Sequence, residues 1–110
     1  MKIDLSQLEF IDPVLREMAL SVESHFGVEF TVTSLYRIPS GTPSSTHEVI
    51  PLRAIDLRCH DHDLGESVEN YINSIYSYDP NRSSKRCCMY HDAGGGFHIH
   101  LQTHSNTELK

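Results

Sequence analysis

Apolar residues recur at every fourth position from Val14 through Met18 and Val22 to Phe26, with Leu15 and Ala19 beside them. That period predicts an amphipathic helix over 13–26 whose stripe faces the core. Asp12 is its expected cap, Pro13 suits the first turn, and Gly27 can end it. His25 lies off the stripe and reads as a surface residue. The period then falls to two: Val28, Phe30 and Val32 alternate with Glu29, Thr31 and Thr33, with Arg37 on the polar side, as a strand over 28–37 would. Residues 38–45, rich in Pro, Gly and Ser, have no period and read as a loop. Over 54–58 a second strand is expected, with Ile55 and Leu57 facing the core and Ala54, Asp56 and Arg58 facing away.

Asp63-Leu64-Gly65-Glu66 has the spacing of a capping box. It predicts a second helix running to about Tyr76, with Val68, Tyr71, Ile72 and Ile75 as its apolar stripe. Asp79-Pro80-Asn81-Arg82 is a turn. Residues 87–91 and 97–102 flank Asp92-Ala93-Gly94-Gly95-Gly96 as the arms of a hairpin. The tail from Ser105 is expected to fray. The order α, β, β, α, β, β argues an α+β fold, a mainly antiparallel sheet with two flanking helices.

The length of 110 residues accommodates one domain, 1–110, divided into a helix flank (13–26), a core (28–104) and the tail (105–110). The net charge of −6, with basic residues scattered, argues against nucleic acid as a partner. The one basic cluster, Asn81 to Arg86, reads as a solvated loop. Cys59 and the adjacent Cys87 and Cys88 do not make a disulfide framework. On a strand, Cys87 and Cys88 would point to opposite faces, one buried and one at the edge. The acidic start is unlike a signal peptide and no apolar run approaches a membrane span, so the chain is expected to be cytoplasmic when made.

Histidine changes the picture, because there are eight. In Phe97-His98-Ile99-His100-Leu101-Gln102 strict alternation turns Phe97, Ile99 and Leu101 inward and puts His98, His100 and Gln102 on the other face. Two imidazoles about 7 Å apart along a strand suit one metal ligand and one group reaching substrate or water. They equally suit a polar outer face. His47 closes the Pro/Ser loop, and Asp56 follows nine residues later. A His and a carboxylate from one segment with a His from the hairpin would give zinc three ligands and leave a fourth position for water.

Ser45-Thr46-His47, then Arg53-Ala54-Ile55-Asp56-Leu57, then His98-Ile99-His100 together resemble the D-alanyl-D-alanine carboxypeptidase and peptidoglycan endopeptidase family. That family includes VanX- and VanY-type enzymes and phage endolysins and shares its zinc fold with the Hedgehog signalling domain. The resemblance spans about residues 33–103. It implies a Hedgehog/DD-peptidase-like fold, Zn2+ held by His47, Asp56 and His100, and His98 assisting proton transfer. Thr33-Ser34-Leu35-Tyr36-Arg37 is similar to the family's S-G-Y-R strand end, which makes Arg37 the expected contact to a peptide carboxylate or carbonyl, with Ser45 beside it in the substrate site. The implied partner is a peptidoglycan stem peptide, and release by lysis or delivery by a phage is the implied setting.

Two departures stand out. The step from His47 to Asp56 is nine rather than seven, without the spacer glycine. Phe97 stands where many relatives carry a general-base glutamate, which leaves proton transfer to His98, or to Asp92 or His91 across the hairpin. The alternative reading is a zinc-binding module on the same fold without catalysis. Cys59-His60-Asp61-His62-Asp63 is dense in ligand types but reads as a solvated entry to the second helix, and His104 as a border or frayed residue.

Overall fold

The computed structural model describes residues 11–36, 53–92 and 96–110. They form a small α+β domain. Helix α1 (Pro13–Phe26) is followed by strands β1 (Val32–Tyr36) and β2 (Ala54–Arg58), helix α2 (His62–Ile75), β3 (Tyr76–Ser77), β4 (Cys88–Asp92), β5 (Phe97–Gln102) and β6 (Glu108–Leu109). The main sheet has the order β1-β2-β5-β4, and every pairing in it is antiparallel.

Helix α1 has the bounds that its periodicity predicts. Asp12 accepts the Leu15 N–H at 3.2 Å, Pro13 opens the first turn, and Gly27 ends the helix at φ 68°, where a residue without Cβ carries no strain. Leu15, Met18, Ala19 and Val22 are its buried side chains, while Val14 and Phe26 pack at the margin. His25 is exposed and stacks on Tyr71 with ring centroids 4.1 Å apart.

Helix α2 departs from the expected start. Its cap is Asp61, which accepts the Leu64 N–H at 3.1 Å, and Asp63 lies inside the first turn, where its charge complements the helix dipole. The ligand-dense run 59–63 is therefore used in building this corner. Cys59 is buried and its thiol donates to the Asp61 carbonyl. The His62 ring meets Phe97 edge-on at 4.6 Å.

The core lies between one sheet face and the two helices. Ile55, Leu57, Ile99, Leu101 and Cys88 meet Leu15, Met18, Val22, Val68 and Ile72, all fully buried. Each large aliphatic side chain here contributes roughly 1.5–3 kcal/mol by leaving water. Ala54, on the opposite sheet face by its register with Gln102, is also buried.

Four expectations are corrected. Strand β1 begins at Val32, not at Val28, and a register irregularity between Val32 and Ser34 interrupts the alternation read through to Arg37. Phe97 is 40 % exposed, at the rim of the core where its ring meets His62 at the start of α2 and Tyr90. Cys87 and Cys88 are both fully buried: Cys88 faces the helices, and Cys87 belongs to the same cluster as Tyr76 and Tyr78. The tail from Ser105 does not fray. It turns, pairs β6 with β3 antiparallel, and donates the Lys110 N–H to the Ile75 carbonyl at 2.8 Å.

Candidate metal centre

Register builds the site. Asp56 on β2 lies opposite His100 on β5, Arg58 opposite His98, and His98 opposite His91 on β4. Paired residues of an antiparallel sheet share a face, so Asp56, His91, His98, His100 and Gln102 all stand on the face away from the helices. Asp56 and His100 are carried by the two central strands and cannot shift without breaking the pairings on both sides.

The donors converge on one oxygen. His100 Nδ1 is 2.8 Å from Asp56 Oδ1, and His98 Nε2 is 3.6 Å from the same atom. What the opposite ring nitrogens do decides the chemistry. His98 Nδ1 lies 3.3 Å from the Gly96 carbonyl, which can only accept, so this nitrogen carries the proton. His100 Nε2 lies 3.1 Å from Gln102 Oε1. The orientation of that amide is set by its other end, because Gln102 Nε2 donates to the Arg86 carbonyl at 2.8 Å. His100 Nε2 is therefore also a donor. In the neutral imidazoles, His98 Nε2 and His100 Nδ1 then present lone pairs toward a carboxylate oxygen. A proton on either ring or on the carboxyl, or a metal ion, would satisfy this arrangement.

The donor types suit zinc, and the outer hydrogen bonds to carbonyls are those that orient metal-ligating histidines. Ligands at zinc distances on a tetrahedron stand about 3.4 Å apart. The spacing of the two expected ligands, His100 and Asp56, is that of a hydrogen bond at 2.8 Å and would have to open by about half an ångström. Among the described residues, no group of three or more His, Cys, Asp or Glu side chains is arranged to hold an ion by itself. His47, the third expected ligand, lies outside the described residues, as do Arg37 and Ser45.

Asp92 is not brought to this face. It registers with Phe97, alternates with His91, and its Oδ1 accepts the Gly96 N–H at 3.1 Å, which ties it to the hairpin turn. His91 does border the site, its ring 4.8 Å from that of His98 and 6.1 Å from that of His100. Desolvation, then the neighbouring His98 and His100, push its pKa below the usual imidazole value. His104 belongs to the turn before β6, where its Nδ1 accepts the Asn106 N–H at 3.1 Å. Gln102 received no role from the sequence, although the H-x-H-x-Q alternation already put it on the histidine face. Its contact with Arg86 across the hairpin had no local signal.

No family model, curated protein or solved structure matches this chain.

Proposed function

We propose that this protein is a zinc-dependent metallopeptidase that hydrolyses an amide bond of peptidoglycan stem peptides, built on a Hedgehog/DD-peptidase-like arrangement. The observation that carries the metal reading is the approach of His100 Nδ1 to Asp56 Oδ1 with the outer His100 nitrogen committed to the Gln102 carbonyl, and the proton-transfer role rests on His98 Nε2 lying 3.6 Å from the same oxygen. Asp56 and His100 would hold the ion together with His47. Bound there, zinc would supply a water of lowered pKa and polarise the scissile carbonyl. His98 then takes and returns the proton, with His91 beside it as the second imidazole. The substrate class rests on the motif resemblance. No helix among the described residues is long and apolar enough to cross a membrane, which agrees with a partner met outside the bilayer core.

Phe97 favours a second reading, a zinc-binding module without catalysis, because it stands at the sequence position of the usual general base and turns its ring to the other sheet face, against His62 and Tyr90. Zinc content and muropeptide cleavage together test both readings. Wild type should carry one zinc, and His47→Ala and His100→Ala should lose it. A chain that binds no zinc overturns both readings. If His98→Ala keeps zinc but cuts no muropeptide that wild type cuts, the enzyme stands. Zinc binding with no cleavage by wild type leaves the binding module.

A further inference from the structure

A pocket of about 300 Å³ takes no part in the histidine face, and its wall includes Tyr76, Tyr78, Ser83, Lys85, Arg86 and Lys110. No acidic side chain stands in this wall, although the chain holds 15 Asp and Glu against nine Lys and Arg. Of the other described cations, two are paired, while Arg16 and Arg58, like those of the wall, have no carboxylate side chain within ion-pair distance among the described residues. Arg82 is held by Asp79 at 2.9 Å, and Arg53 lies 3.7 Å from Asp12. Among the described residues, Lys85, Arg86 and Lys110 have no carboxylate side chain within ion-pair distance. Lys110 is anchored without being neutralised, since its Nζ donates to the Asn73 carbonyl at 2.8 Å.

The wall is also well fixed. The turn that presents Lys85 is closed by Arg82 N–H to Asp79 and Lys85 N–H to Arg82, at 2.9 and 3.0 Å. Tyr76 and Tyr78 are 5 % and 6 % exposed, so their rings form a rigid side to the pocket. Three cationic side chains line the pocket, more than one carboxylate needs and enough for a dianion, with the Ser83 hydroxyl as a further donor. The volume is at the small end for ligand pockets, the size of a sugar phosphate and too small for a polymer.

We propose that this pocket binds a small phosphate monoester, the phosphate on Lys85, Arg86 and Lys110 and the organic part against the tyrosines. The site is independent of the metal reading, so its test uses the full chain in the presence of a chelator. Nuclear magnetic resonance titrations with glucose 6-phosphate, inorganic phosphate and glucose are compared. Glucose 6-phosphate should give saturable shifts at Ser83, Lys85 and Arg86, inorganic phosphate weaker binding, and glucose none. Lys85→Ala and Arg86→Ala, both at exposed positions, should each weaken binding about tenfold without changing the circular dichroism spectrum. Shifts that do not saturate, or binding indifferent to both substitutions, would overturn the proposal. Equal affinity for the ester and inorganic phosphate would overturn the monoester assignment.

Discussion

His100 and Gln102, on one face of β5, are joined Nε2 to Oε1 at 3.1 Å, and the Arg86 carbonyl 2.8 Å from Gln102 Nε2 sets which way the amide points. Through this contact a neutral residue decides which imidazole nitrogen of His100 carries the proton. Gln102→Leu removes that control and lets His100 place its proton on Nδ1, against the carboxylate. Zinc affinity should fall about tenfold or more. A competitive zinc titration, paired with nitrogen chemical shifts of His100 in metal-free protein, checks this. Unchanged affinity and an unchanged tautomer would show that the amide has no such role.

Asp12 links three elements. Its Oδ2 accepts from the Leu15 N–H at 3.2 Å and from Thr103 Oγ1 at 3.0 Å, and its Oδ1 lies 3.7 Å from Arg53. Asp12→Ala removes the cap and leaves the fully buried Thr103 hydroxyl without its acceptor. The expected loss is about 2–4 kcal/mol. Asp12→Asn keeps an acceptor and should lose about 1 kcal/mol. Urea unfolding of both variants checks the order, and equal losses would mean that the carboxylate serves by charge alone.

Gly65 sits where α2 crosses the hairpin. A Cβ there would overlap Cδ1, Cε1 and Cζ of Tyr90. The tyrosine is held by its hydroxyl, 3.3 Å from the Cys59 carbonyl, and by the Glu69 carboxylate on its backbone N–H at 2.8 Å. Gly65→Ala should therefore destabilise by about 1–3 kcal/mol despite alanine's better helix propensity. Gly65→Ala combined with Tyr90→Ala should cost less than the sum of the two single changes.

Asp79 governs part of the acid limb of stability. The Asn81 N–H, then the Arg82 side chain, hold its carboxyl below the usual carboxylate range, against the opposing effect of burial. Because the folded value is the lower one, the stabilisation is complete above the unfolded value of about 3.9 and is lost as pH falls through the folded value. Asp79→Asn should flatten stability against pH in that acidic window and leave its slope near neutrality unchanged. Unfolding free energies measured between about pH 2 and 7 check this, and an unaltered acid limb would contradict it.

Local patterns were legible where one physical cause acted alone. The four-residue spacing of Val14 to Phe26, with Asp12 and Gly27 at its ends, defined α1 to the residue. Ile99 and Leu101 turned inward as their alternation required. Misreadings arose where tertiary structure chose between local options. Asp61 and Asp63 can both cap a helix, and Cys59, buried beside the turn, favours the earlier one. Phe97 obeys the strand's phase but lies at the rim, where its ring meets His62 at the start of α2 and Tyr90 in place of the core. The tail pairs with β3, a two-residue strand too short to announce itself by period. In the site, the Asp56–His100 pair followed from strand parity, but the tautomers depended on carbonyls from Gly96 and Arg86, which no spacing reveals.

The central position of β2 and β5 has a thermodynamic consequence. Asp56 and His100 are 44 residues apart in the chain and become neighbours only when the sheet closes. Any cation that binds between them therefore binds the folded chain and not the unfolded one, and its binding free energy adds to stability by linkage. At a free concentration one hundred times its dissociation constant, it would contribute about 2.7 kcal/mol. The melting temperature thus becomes a readout of site occupancy that needs no substrate.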